Sequence, residues 1–197
     1  MKNRKKTKSV WCTLALCLGT ATALSAQAPS ELRIDFDPST TKVEFTLADV
    51  LHTVHGSFRL KSGNIHFDPT SGIAGGALVV DAASGQSGNN TRDHKMNKEI
   101  LETDKFPEAV FTPKKVIGQL AMQGGSQVQV QGMFRLHGAD HDITLVVPVQ
   151  VDGNQIKIQT QFDIPFVKWG MKDPSTFVLR VNKDVQMSIS GNERISH

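Results

Sequence analysis

From about residue 40 onward, apolar and polar side chains alternate with a period of two, the signature of strands that bury one face. Val43, Phe45 and Leu47 alternate with Glu44 and Thr46, and Val128, Val130, Phe134 and Leu136 alternate with Gln129, Gln131 and Arg135. Ile143, Leu145, Val147, Val149 and Val151 share one parity, and Ile156, Ile158, Phe162 and Ile164 share another. A last run places Phe177, Leu179, Val181, Val185, Met187 and Ile189 all at odd numbers. Weaker runs surround Phe58, Ile65, Val79 and Phe111. The pattern predicts eight or nine strands.

The interruptions carry turn chemistry. Asp68-Pro69-Thr70-Ser71-Gly72, Gln123-Gly124-Gly125, Gly138-Ala139-Asp140 and Asp152-Gly153-Asn154 all suit hairpin connections. Parity slips near Ser62-Gly63, which predicts a bulge or bend. Pro148 falls inside a strong strand run and lacks an N–H, so it belongs at a bulge or an open edge. Arg92 to Leu101 is dense in charge and poor in β-branched residues, and predicts a short helix or ordered loop. Many antiparallel strands with one apolar face leave a sandwich or a barrel. Long strands in hairpin succession favour an all-β, antiparallel, eight-stranded barrel with a short rim helix, whose interior has room for one small ligand.

The first residues have a different character. Lys2, Arg4, Lys5, Lys6 and Lys8 precede an apolar stretch from Val10 to about Leu24, followed by Ala26-Gln27-Ala28. This reads as a secretory signal over 1–28, cleaved after Ala28, leaving a single domain over 29–197 in the periplasm. The apolar stretch carries Thr and Gly and is shorter than the roughly 18 residues of a spanning helix, so no stable membrane insertion is expected after cleavage. Removing the five cations takes 22 Lys+Arg to 17 against 19 Asp+Glu, a net charge of about −2. A mildly acidic chain gives no electrostatic footprint for nucleic acid. Cys12 and Cys17 leave with the same segment, which excludes a disulfide, a thiolate metal site and a cysteine nucleophile in the remainder.

Candidate chemistry is sparse. His137 and His141 are four apart and His52 and His55 three apart, yet both pairs flank turns or lie on strands, where positions three apart face opposite ways. They read as turn and surface histidines, and no metal site is expected. No nucleophile elbow or phosphate-binding glycine loop is present, and the adjacent Asp93 and His94 make no catalytic set; the chain is not read as an enzyme. The most distinctive segment is Ser87-Gly88-Asn89-Asn90-Thr91-Arg92-Asp93-His94-Lys95-Met96. Arg92 and Asp93 there either hold the rim through local hydrogen bonds or present a cation to a polar head group.

That segment resembles the YceI-like family, lipocalin-like periplasmic barrels named for polyisoprenoid binding. Ser87-Gly88-Asn89, Arg92-Asp93-His94 and Phe106-Pro107-Glu108-Ala109 follow one another in the family's order, with Val54-His55-Gly56-Ser57-Phe58 upstream and His137-Gly138 before Ile143-Thr144-Leu145 downstream. The similarity runs from about residue 40 to 190. Two departures stand out: Phe166-Val167-Lys168-Trp169-Gly170-Met171 replaces the family's Arg-x-Asp-Phe-Gly run, and Lys95-Met96 replaces the Leu after His94. The resemblance implies a barrel holding an isoprenoid-like lipid, a quinone or polyprenyl phosphate, as its ligand, with no other cofactor. Phe45, Leu47, Phe58, Phe111, Phe134, Leu145, Phe162 and Leu179 are the expected lining, with Asn89, Arg92 and Trp169 at the rim. A homodimer is compatible with the sequence. The alternative is a barrel filled by these same side chains, acting through protein partners.

Overall fold

The computed structural model describes residues 31–48, 52–176 and 180–196. The expected signal segment over 1–28 and the expected lining residue Leu179 lie outside them. Nine strands follow in order: β1 (Leu32–Phe36), β2 (Lys42–Ala48), β3 (Thr53–Phe67), β4 (Ala74–Gln86), β5 (Glu108–Ile117), β6 (Gly124–Leu136), β7 (Ala139–Asp152), β8 (Gln155–Ile164) and β9 (Val185–Ser196). A six-residue helix α1 (Asn90–Lys95) runs on into a π-helical turn at Met96–Ile100 between β4 and β5.

All neighbouring strands are antiparallel, and β2 through β9 form a closed ring in which β2 pairs with β9 and β3 with β4. The ring therefore has eight positions. The short β1 adds no ninth: it lies in line with β2, pairing with the far ends of β3 and β9 while β2 pairs with their near ends. The alternation singled out β2 but not β1, because Leu32, Ile34 and Phe36 are separated from it by the turn through Asp37–Thr41. That turn is held from across the chain by Glu193, which is 1% exposed. The Thr41 hydroxyl donates to its Oε1 at 2.7 Å and the Asp37 N–H to its Oε2 at 2.9 Å.

Inward residues follow the predicted parity, with β8 buried at Ile156, Ile158, Thr160 and Ile164, and β7 at Leu145, Val147, Val149 and Val151. The slip near Ser62-Gly63 is a register shift between Leu60 and Ser62 within the β3–β4 ladder. The β6–β7 turn sits one residue earlier than the sequence suggests. His137 and Gly138 both have positive φ, 52° and 77°, as a two-residue type I′ hairpin requires. Ala139 and Asp140 are thereby ladder residues, and Asp140 pairs directly across from Arg135, whose guanidinium donates to both its carboxyl oxygens. The turn predicted at Gln123-Gly124-Gly125 is likewise displaced, because β6 already begins at Gly124. The strand anticipated from Phe177 starts, among the described residues, at Val185 and runs on to Ser196 with its odd positions still inward. Pro148 sits where a missing N–H costs least: β7 pairs with β6 along its length but with β8 only over Val149–Asp152.

Candidate functional site

The barrel interior is hollow at one end and nearly filled at the other. A cavity of about 360 Å³ lies under the rim helix. A second, of about 70 Å³, lies toward β1 and the opposite turns. The larger volume is within the ~300–1,000 Å³ typical of small-molecule sites.

The large cavity is walled by aliphatic and aromatic side chains from most of the ring. Phe45, Leu47, Phe58, Phe134 and Phe162, expected as lining, all line it. Phe45 and Phe58 pack at 5.3 Å between ring centroids, and Phe134 and Phe162 meet edge-on at 6.4 Å. Phe111 and Leu145 belong instead to the small cavity, one level further down the barrel. Parity gives the face on which each of these seven described residues lies, but it has no depth coordinate. The cavity also takes residues that the alternation did not point to. Met96, Ile100 and Leu101 come from the helical segment and its exit. Their i, i+4, i+5 spacing is an amphipathic signal that the surrounding charges obscured. Phe166 and Met171 reach in from the loop after β8.

Among the described residues the polar lining is confined to one place. Ser87, Arg92 and Lys95, all at or beside α1, supply it. Local hydrogen bonds hold this corner. Asn89 is the N-cap, its side chain accepting from the Arg92 N–H at 3.1 Å. The Arg92 guanidinium donates to the Ser87 hydroxyl and to the Ser87 carbonyl, both at 2.7 Å. Asp93 accepts from the Ser87 N–H at 2.9 Å and from its hydroxyl. Asn89 is thus a cap, and Arg92 has two roles at once: it locks the strand-to-helix junction and edges the cavity.

Two further ties hold the helical segment on the barrel. Glu99 accepts from the Lys172 ammonium at 2.6 Å, which holds the Glu99 carboxyl below the usual range and links the helix to the loop after β8. Beyond the π turn, Glu102 accepts from Lys105 at 2.6 Å and pairs with His137 Nε2 at 2.9 Å. The Lys105 bond, aided by His137, lowers the Glu102 carboxyl. The Phe106 ring packs on His137 at 4.6 Å, and a Cβ on Gly138 would lie 2.6 Å from that ring. The Phe-Pro and His-Gly motifs, 31 residues apart in sequence, are therefore two sides of one contact that closes the rim.

Trp169 stands apart from the cavity lining. Its ring stacks flat on His141 at 3.8 Å and lies 6.0 Å from Phe134, behind the cavity wall. The histidines are spread over several contacts, His55 meeting Thr46 at 3.1 Å, and no cluster of His, Cys, Asp or Glu suited to a metal ion occurs among the described residues. Among those residues no helix is long and apolar enough to cross a membrane.

Comparison with known proteins agrees with this architecture. The UPF0312 protein YE1254 of Yersinia enterocolitica is 29% identical over 136 residues, 68% of each chain. A polyisoprenoid binding domain from Saccharophagus degradans, implicated in plant cell wall breakdown, superposes with a TM-score of 0.63 at 18% identity, covering 83% of this chain and 98% of that one. BcnA of Burkholderia cenocepacia gives 0.65 at 16% identity, covering 83% and 100%. The YceI protein of Campylobacter jejuni gives 0.58 at 21%, covering 75% and 88%. The YceI-like domain profile matches residues 35–192, nearly the whole barrel, and the chain belongs to that family.

Proposed function

We propose that the protein binds an isoprenoid-like lipid, a quinone or polyprenyl phosphate, with its tail in the large cavity and its head group beside Arg92 and Lys95. The observation that carries this reading is the distribution of polarity: an apolar cavity of about 360 Å³ whose polar lining, among the described residues, is confined to Ser87 and the two α1 cations. Burial of a prenyl tail contributes about 0.8 kcal/mol per CH₂ before ordering costs, so the walls supply affinity. Specificity comes from the rim, where a guanidinium and an ammonium favour an anionic or strongly hydrogen-bonding head. The polyisoprenoid binding domain of Saccharophagus degradans shares the fold, which supports the ligand class by analogy. With the signal segment read in residues 1–28, the role is that of a periplasmic carrier or sequestering protein.

The test is native mass spectrometry of the protein purified from its own periplasm, with organic extraction of bound material. A copurifying species of isoprenoid mass, released on denaturation, is expected. A homogeneous apo mass that stays apo when challenged with quinones and polyprenyl phosphates would refute lipid binding and favour action through protein partners. Recovery only from the cytoplasm would refute the periplasmic role.

A further inference from the structure

The lumen is divided, and the division falls at one layer of side chains. Along β5 the lining passes from the large cavity at Ala109 to the small one at Phe111. Along β6 it passes from Phe134 to Val130. The intervening inward position is Gly132, and the Phe111 ring fills the place its side chain would take. A Cβ there would lie 2.5 Å from the Thr112 carbonyl oxygen and 2.6 and 2.7 Å from two ring carbons of Phe111. Ile189 of β9 faces both cavities at this level. Thr160, the polar side chain lining the small side among the described residues, donates its hydroxyl to the Val146 carbonyl at 2.9 Å, so its proton is already committed.

We propose that Phe111, seated over Gly132 at the level where Ile189 lines both cavities, is the floor of the binding cavity and limits the bound tail to about three isoprene units. This rests on the lipid reading above and adds a chain-length class to it. The magnitude follows from the volumes. A dry apolar cavity of about 150 Å³ takes one benzene, six carbons. On that scale 360 Å³ holds about fourteen carbons, close to three five-carbon units. The 70 Å³ beyond the floor holds about three carbons, less than one further unit. Removing the Phe111 ring joins the two spaces and raises the capacity to roughly twenty carbons or more.

The experiment is a calorimetric series with geranyl, farnesyl, geranylgeranyl and hexaprenyl monophosphates, each kept below its micelle-forming concentration. The wild-type Kd is expected to fall at least ten-fold from geranyl to farnesyl and to change less than three-fold from geranylgeranyl to hexaprenyl. In Phe111→Ala the steep part of the series extends to geranylgeranyl or further. Should that variant not fold, Ile189→Ala probes the same layer, and the wild-type series stands without any variant. A wild-type affinity that keeps rising ten-fold per unit beyond four units overturns the floor while leaving lipid binding intact. No binding by any member of the series overturns the lipid reading itself, and the floor with it.

Discussion

Filling the large cavity from its wall separates empty space from packed core in one substitution. Ala109 lies in the wall opposite Val80, is 8% exposed, and lines the cavity. Ala109→Phe adds a phenyl ring, which on the benzene scale consumes about 150 Å³ of the 360 Å³ available. Cavity volume in a core costs about 24 cal/mol per Å³, so complete filling has an upper bound of about 3.5 kcal/mol. Rotamer ordering and imperfect fit reduce this to about 1–3 kcal/mol of net stabilisation. For a domain of this size the melting midpoint then rises by about 3–10 °C. Six carbons of ligand capacity disappear with it, a gross loss of about 5 kcal/mol at 0.8 kcal/mol per carbon, so binding of a farnesyl-length tail weakens by two orders of magnitude or more. The assay is paired: thermal unfolding of lipid-stripped protein, and calorimetric titration with farnesyl monophosphate. A variant destabilised by more than 1 kcal/mol would show the space to be already occupied by packed side chains. Unchanged affinity in a stabilised variant would place the ligand elsewhere.

Two further outcomes follow from the hydrogen-bond geometry. Glu193→Ala leaves the Asp37 N–H and the Thr41 hydroxyl without their acceptor in a buried site, and is expected to cost about 3 kcal/mol by urea denaturation, with Glu193→Gln recovering part of it; a loss below 1 kcal/mol would refute the role of Glu193 in holding β1 to β2. Acid should loosen the rim. Glu102 is lowered chiefly by its Lys105 hydrogen bond, Glu99 by Lys172 and Asp140 by Arg135. Because each folded value lies below the unfolded value of about 4, their contribution is complete above that pH and is lost as pH falls through the folded values. The melting midpoint should therefore hold steady from pH 7 to 5 and decline below about 4, and a midpoint unchanged down to pH 2.5 would contradict the assignment.

The alternation of side chains determined a great deal here without any tertiary information. A strand has two faces, and one residue of parity decides which face is buried, so β2, β6, β7 and β8 and their inward residues follow directly from spacing. Most connections follow as well, because Asp, Gly and Asn at a turn act within four residues. The Asp68 carboxylate, for instance, accepts from the Thr70 N–H at 2.7 Å just where the sequence predicts a turn.

What parity lacks is position along the barrel axis. Phe111 and Phe134 are equivalent as inward aromatics and directly opposite in the ladder, yet one floors the cavity and the other walls it. That distinction arises from a glycine on the neighbouring strand, a choice visible only once the register is set. The same limit applies to polar residues. Glu193 reads as an ordinary strand carboxylate until the turn at Asp37, more than 150 residues away, is folded against it. Trp169 reads as a rim aromatic until the loop after β8 lays it on His141. Phe106 and His137 read as separate motifs until the barrel closes and packs one ring against the other. Local spacing determined which side chains face inward, because each strand carries its own two-fold pattern. Closing those strands into a ring decided which of them meet, and so where the space for a ligand lies, because contact across the barrel depends on register and stagger that no single strand encodes.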